Sequence, residues 1–73
     1  MESKGNIIIL GAGESGTGAA LLAKKQGFDV FVSDFGAITS AYKSELKTAG
    51  IPFEENQHTA EIILNATQVI KSP

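Results

Sequence analysis

Cysteine, tryptophan and arginine are absent from this 73-residue sequence, histidine occurs once and proline twice. Without cysteine, neither a disulfide staple nor a thiolate zinc site can support the core. With His58 as the lone histidine, a structural metal site is not expected. The six lysines, at positions 4, 24, 25, 43, 47 and 71, are scattered, and the formal net charge is -2. No basic stripe exists to neutralise phosphates, which argues against nucleic acid and anionic membrane as partners. No run approaches the ~20 apolar residues of a membrane span. The first residues lack the long apolar stretch and small-residue cleavage site of a secretory signal. The expected location is therefore cytoplasmic. A chain this short makes one domain, residues 1–73, which buries only about 60% of the surface its unfolded form exposes.

What is present is an alternation of apolar strands and helical periods. Ile7-Ile8-Ile9-Leu10 is a continuous apolar run ended by Gly11. Such a run reads as a strand buried on both faces, at the centre of a parallel sheet. Residues 15–26 read as a helix, with Ala19, Leu22 and Ala23 sharing a small face with Ser15 and Gly18. Lys24 and Lys25 complement the dipole of its last turn, and Gly27-Phe28 supplies a stop. A second strand covers residues 29–33, with Asp34 just past its end. Thr39 or Ser40 can cap a helix running to Ala49, whose stripe is Ile38, Tyr42, Leu46 and Ala49. Gly50-Ile51 repeats the earlier stop. Residues 51–54 read as a third strand, which Pro52 confines to an edge. A short helix over residues 59–64 and a strand over residues 68–71 complete the order β-α-β-α-β-α-β. The expected fold is α/β: a three-layer, Rossmann-like parallel sheet of four strands in order 3-2-1-4.

Gly11-Ala12-Gly13-Glu14-Ser15-Gly16 fits G-x-G-x-x-G between a strand and a helix. Asp34 follows Gly16 at close to the ~20-residue spacing of a ribose-binding acid. Gly13 lets a ligand approach the backbone, Gly16 lets helix and strand pack closely, and free N–H groups with the positive helix end face an anion there. The Glu14 carboxylate would repel a diphosphate, so either it points to solvent or its N–H does the binding. Ser15 can donate from its hydroxyl. Asp34 either caps its own loop or accepts from a ligand hydroxyl or uracil. His58 reads as a surface cap of the third helix rather than a ligand. No nucleophile–base pair and no P-loop lysine is present, so this chain alone is expected to transfer or hydrolyse nothing.

Three segments together resemble the start of a Mur ligase: residues 7–16, Val30-Phe31-Val32-Ser33-Asp34, and residues 65–73 ending Lys71-Ser72-Pro73. The terminal Ser-Pro resembles the family's Ser-Pro-Gly-Ile/Val motif, cut before its glycine. The resemblance implies the first, UDP-binding domain of a ligase that adds D-glutamate to UDP-N-acetylmuramoyl-L-alanine. It implies no cofactor in this chain, with ATP and magnesium held by a central domain, and the remaining domains acting in cis. By position it assigns the nucleotide contacts to Glu14 and Ser15, within the turn from Gly13 to Gly16 that bounds the expected pocket, the uracil loop to Asp34, Phe35 and Gly36, and the strand-four loop to Ser72 and Pro73. Where the family often carries an arginine, Gly36 supplies no charge, and Phe35 is expected to stack on or edge the uracil instead. The family's fifth strand would follow Pro73, and without it the edge at Val69 and Ile70 is expected to self-associate. The glycine turn and Asp34 alone suit an NAD-binding module of an oxidoreductase or regulatory protein equally well.

Overall fold

A computed structural model describes residues 4–71. The chain alternates β1 (Asn6–Leu10), α1 (Glu14–Lys25), β2 (Asp29–Asp34), α2 (Ser40–Thr48), β3 (Phe53–Glu55), α3 (Ala60–Leu64) and β4 (Gln68–Lys71). The four strands form one parallel sheet in the order β3-β2-β1-β4, the α/β, Rossmann-like arrangement that the sequence implies. Ile9 lies between Val32 and Ile70 in register, so the most apolar strand has a neighbour on each side.

Strand alternation divides the sheet into two unequal faces. Ile7, Ile9, Val30 and Val32 face α1 and α2 and make the core with Ala20, Ala23, Ile38, Leu46 and Ile51. Ile8 and Phe31 face the other way. There they line a cavity of about 430 Å³ with Ile62 and Ala66, at and just beyond α3. A five-residue helix covers that face thinly, and Val69 on β4 stays 44% exposed.

Both long helices end in the same hydrogen-bonded stop. Phe28 N–H donates to Ala23 C=O and Gly27 N–H to Lys24 C=O; Ile51 N–H donates to Leu46 C=O and Gly50 N–H to Lys47 C=O. This is the Schellman pattern, and it places the glycine at positive φ, 98° at Gly27 and 73° at Gly50. The second stop also buries Ile51 against Leu46.

Three local expectations need correction. The buried face of α1 is Gly16, Thr17, Ala20 and Ala23, whereas Leu22 is 57% exposed and Ser15 and Gly18 face solvent. β3 begins at Phe53, so Pro52 precedes the edge strand and contributes its carbonyl to Val32 N–H. Thr39 takes the N-cap position of α2 without a side-chain hydrogen bond. The Glu55 carboxylate does the tying instead: it accepts from Ile38 N–H and pairs with Lys43 at 2.6 Å.

Candidate functional site

The carboxyl ends of β1, β2 and β3 converge on one rim. Gly11 leaves β1 at φ 103°, and its N–H donates to Ser33 C=O at 2.8 Å. Ala12 is buried, and its carbonyl accepts from the buried Thr17 hydroxyl, which ties the turn to the first turn of α1. Gly13 is the N-cap of α1, with φ -77° and ψ -165°. The first intrahelical bond runs from Thr17 N–H to Gly13 C=O. The N–H groups of Glu14, Ser15 and Gly16 precede it and lie at the positive end of the helix. A Cβ built on Gly13 meets nothing within 4 Å, so the backbone there is open to approach. Glu14 and Ser15 are exposed, while Gly16 is buried where helix and sheet meet.

Asp34 is the last residue of β2, one position inside the strand rather than just past it, and its carboxylate bridges two loops. Oδ2 accepts from Ala12 N–H and Oδ1 from Gly36 N–H, both at 2.8 Å. Each oxygen keeps a second lone pair for a ligand donor. The third loop joins through the backbone, with Asn56 N–H donating to Gly36 C=O and Gln57 N–H to Asp34 C=O. Phe35 stands out from this rim, 74% exposed. The structure thus brings Gly13, Glu14, Ser15, Gly16, Asp34, Phe35 and Gly36 to one end of the sheet. Ser72 and Pro73 lie outside the described residues.

Beside the rim sits a cluster that sequence reasoning missed. Ser33 is fully buried, with its Oγ 2.7 Å from Glu54 Oε2, 2.5 Å from His58 Nδ1 and 3.2 Å from Gln57 C=O. Glu54 also accepts from Thr59 N–H at 2.8 Å and from the Thr59 hydroxyl at 2.6 Å. Burial raises the Glu54 carboxyl, but the Thr59 hydroxyl and N–H, the Ser33 hydroxyl and the nearby imidazole outweigh it and hold the group below its ordinary value. His58 therefore does not cap α3 as expected. Thr59 occupies the N-cap, Glu54 satisfies it, and the imidazole turns to Ser33 and packs on Phe35, with ring centroids 5.5 Å apart and planes tilted by 58°. The available signal was the parallel register that sets Ser33 opposite Glu54.

The described residues do not fit ATP with magnesium. The glycine turn carries Glu14 and Ser15 and no lysine, and no group of three His, Cys, Asp or Glu side chains gathers among the described residues. None of the helices among these residues is long and apolar enough to cross a membrane.

Residues 6–73 match the family described as the MurD N-terminal domain. A UDP-N-acetylmuramoylalanine--D-glutamate ligase of Porphyromonas gingivalis is 59% identical over 70 residues, covering 96% of this chain and 16% of the relative. Its namesake in Bacteroides thetaiotaomicron is 61% identical over 67 residues, covering 92% of this chain and 15% of the relative. The protein of that name in Chlorobaculum tepidum is 40% identical over 73 residues, covering 99% of this chain and 16% of the relative. The chain thus spans about 16% of the length of the curated relatives it matches. No solved structure matches it.

Proposed function

The chain belongs to the MurD N-terminal domain family, and from that premise we propose that it binds the uridine diphosphate end of UDP-N-acetylmuramoyl-L-alanine. The bound substrate is presented to a cytoplasmic ligase that joins D-glutamate to it. The observation that carries the reading is the glycine turn. Gly13 leaves the backbone open on the side where an anion must approach, and the N–H groups of Glu14, Ser15 and Gly16 stand unbonded by the helix behind it. These donors supply positive potential without a basic side chain. Glu14 is exposed, so its carboxylate is free to extend into solvent while its N–H serves the anion.

Asp34 and Phe35 take the nucleoside end, Asp34 through its remaining lone pairs and Phe35 through its exposed ring, with Gly36 giving the loop its tight return to Asp34. Ser72 and Pro73, outside the described residues, join the proposed nucleotide contacts by family resemblance alone. In the ligase as a whole, ATP activates the substrate carboxylate and the D-glutamate amine attacks it. Both that chemistry and the sites for ATP and magnesium belong to the rest of such a protein, acting in cis.

The test is chemical-shift mapping of the labelled chain with UDP and with NAD in parallel. The reading predicts that UDP moves the amides of residues 13–16 and 34–36. Movement with NAD alone, and none with millimolar UDP, would shift the assignment to an oxidoreductase-type module.

A further inference from the structure

The polar cluster beneath the rim fixes the hydrogen on an imidazole that faces solvent. Ser33 has one hydroxyl proton and three neighbours that seek it. Gln57 offers a carbonyl, an acceptor only. Glu54 offers a carboxylate that its hydrogen bonds keep ionised, also an acceptor only. At 2.7 Å the carboxylate is the nearer of these two, so the Ser33 proton goes to Glu54. The close contact between Ser33 Oγ and His58 Nδ1 is then a hydrogen bond only if Nδ1 carries a proton and donates it. In the neutral ring, Nε2 is left bare, an acceptor on an exposed side chain beside the exposed Phe35.

This arrangement presents an apolar ring and one acceptor side by side, where the loops after β2 and β3 meet. A diphosphate lying on the glycine turn can extend its nucleoside over the end of β2, toward that pair. Uracil offers a planar face and an imide N–H. We propose that His58 is a nucleobase-binding residue, accepting the imide N–H of uracil at Nε2 while Phe35 packs on the base. The inference rests on the uridine diphosphate reading above. Ser33 and Glu54 are positioning residues, because they set the tautomer and hold the ring without reaching the base.

His58 is the only histidine, so its ring nitrogens can be read without assignment. The experiment is long-range proton–nitrogen correlation on the uniformly labelled chain in mildly alkaline buffer, with and without UDP. Expected are a protonated Nδ1 in the free protein and a marked shift of Nε2 when UDP binds. His58→Asn keeps an N–H donor near the Nδ1 position and removes Nε2. It should leave the melting temperature unchanged and weaken UDP by ~2- to 12-fold, the scale of one net hydrogen bond. If UDP moves the glycine-turn amides while Nε2 stays still, or if Nδ1 proves unprotonated, the inference is overturned and the nucleotide reading stands. If UDP moves neither, both fail.

Discussion

Replacing Gly13 by valine separates the two roles that the glycine turn combines. At φ -77° and ψ -165° the backbone is extended, a conformation open to any residue, and an added Cβ meets nothing within 4 Å. Two opposing effects on stability follow. Valine is a poorer N-cap than glycine, which costs about 0.5–1 kcal/mol. Removing a glycine from the unfolded chain at a compatible position stabilises by about 0.4–1 kcal/mol. They offset, so urea denaturation of Gly13→Val should give a midpoint close to that of the parent. Binding should respond differently. The new methyl groups occupy the open side of the turn and hold a phosphate away from the N–H groups of residues 14–16. A loss of at least about tenfold in UDP affinity, or about 1.4 kcal/mol, is expected by calorimetry, with Gly13→Ala intermediate. A valine variant that melts like the parent and binds UDP equally well would refute the placement of the diphosphate on this turn.

Asp34→Ala strands the buried Ala12 N–H and frees the Gly36 N–H, so it should destabilise by about 1–3 kcal/mol; an unchanged denaturation midpoint would show that these bonds add nothing. Gly50→Ala puts a side chain at φ 73° with nothing near it, so its cost is conformational alone, about 1–2 kcal/mol, and a stabilised variant would contradict the helix stop. Glu54 and Glu55 are both held below the ordinary carboxylate value of 4.5. Their contribution to stability is thus complete above that value and lost as pH falls through the lower folded values; a melting temperature that stays flat from pH 5 down to pH 3 would count against it. The outer edge of β4, with Val69 exposed, should pair with a second copy, and sedimentation showing monomer at high concentration would dismiss that.

The sheet order was legible because its signals are local. A four-residue apolar run favours the centre of a sheet, and Pro52, although it proves to lie just before β3 rather than in it, marks that segment as an edge. Both helix stops were legible for the same reason, as a glycine with an apolar residue behind it specifies its own hydrogen bonds. The packed face of α1 was not. Residues 19–23 are a run of alanine and leucine, so apolarity falls on every side of the helix, and only the sheet selects Ala20 and Ala23 over Leu22. The place of Asp34 was readable, but not its partner Ala12, 22 residues away. His58 was misread because its bond to Ser33 spans 25 residues and depends on a register that no single strand contains.

The bridges among the three loops bear on how fast and how tightly a ligand can be held. A loop free in solution loses about 1–2 kcal/mol per residue when a ligand freezes it. Here the Asp34 carboxylate, the Gly36 carbonyl and the Asp34 carbonyl already join the first loop to the second and the second to the third. These bonds are in place before any ligand arrives, so the backbone they fix adds no ordering cost to binding. Association should then proceed by simple docking, with a rate that rises linearly with ligand concentration and shows no plateau from loop closure. The amide protons of Ala12, Gly36 and Asn56 should exchange with solvent slowly and together, as parts of one cooperative unit.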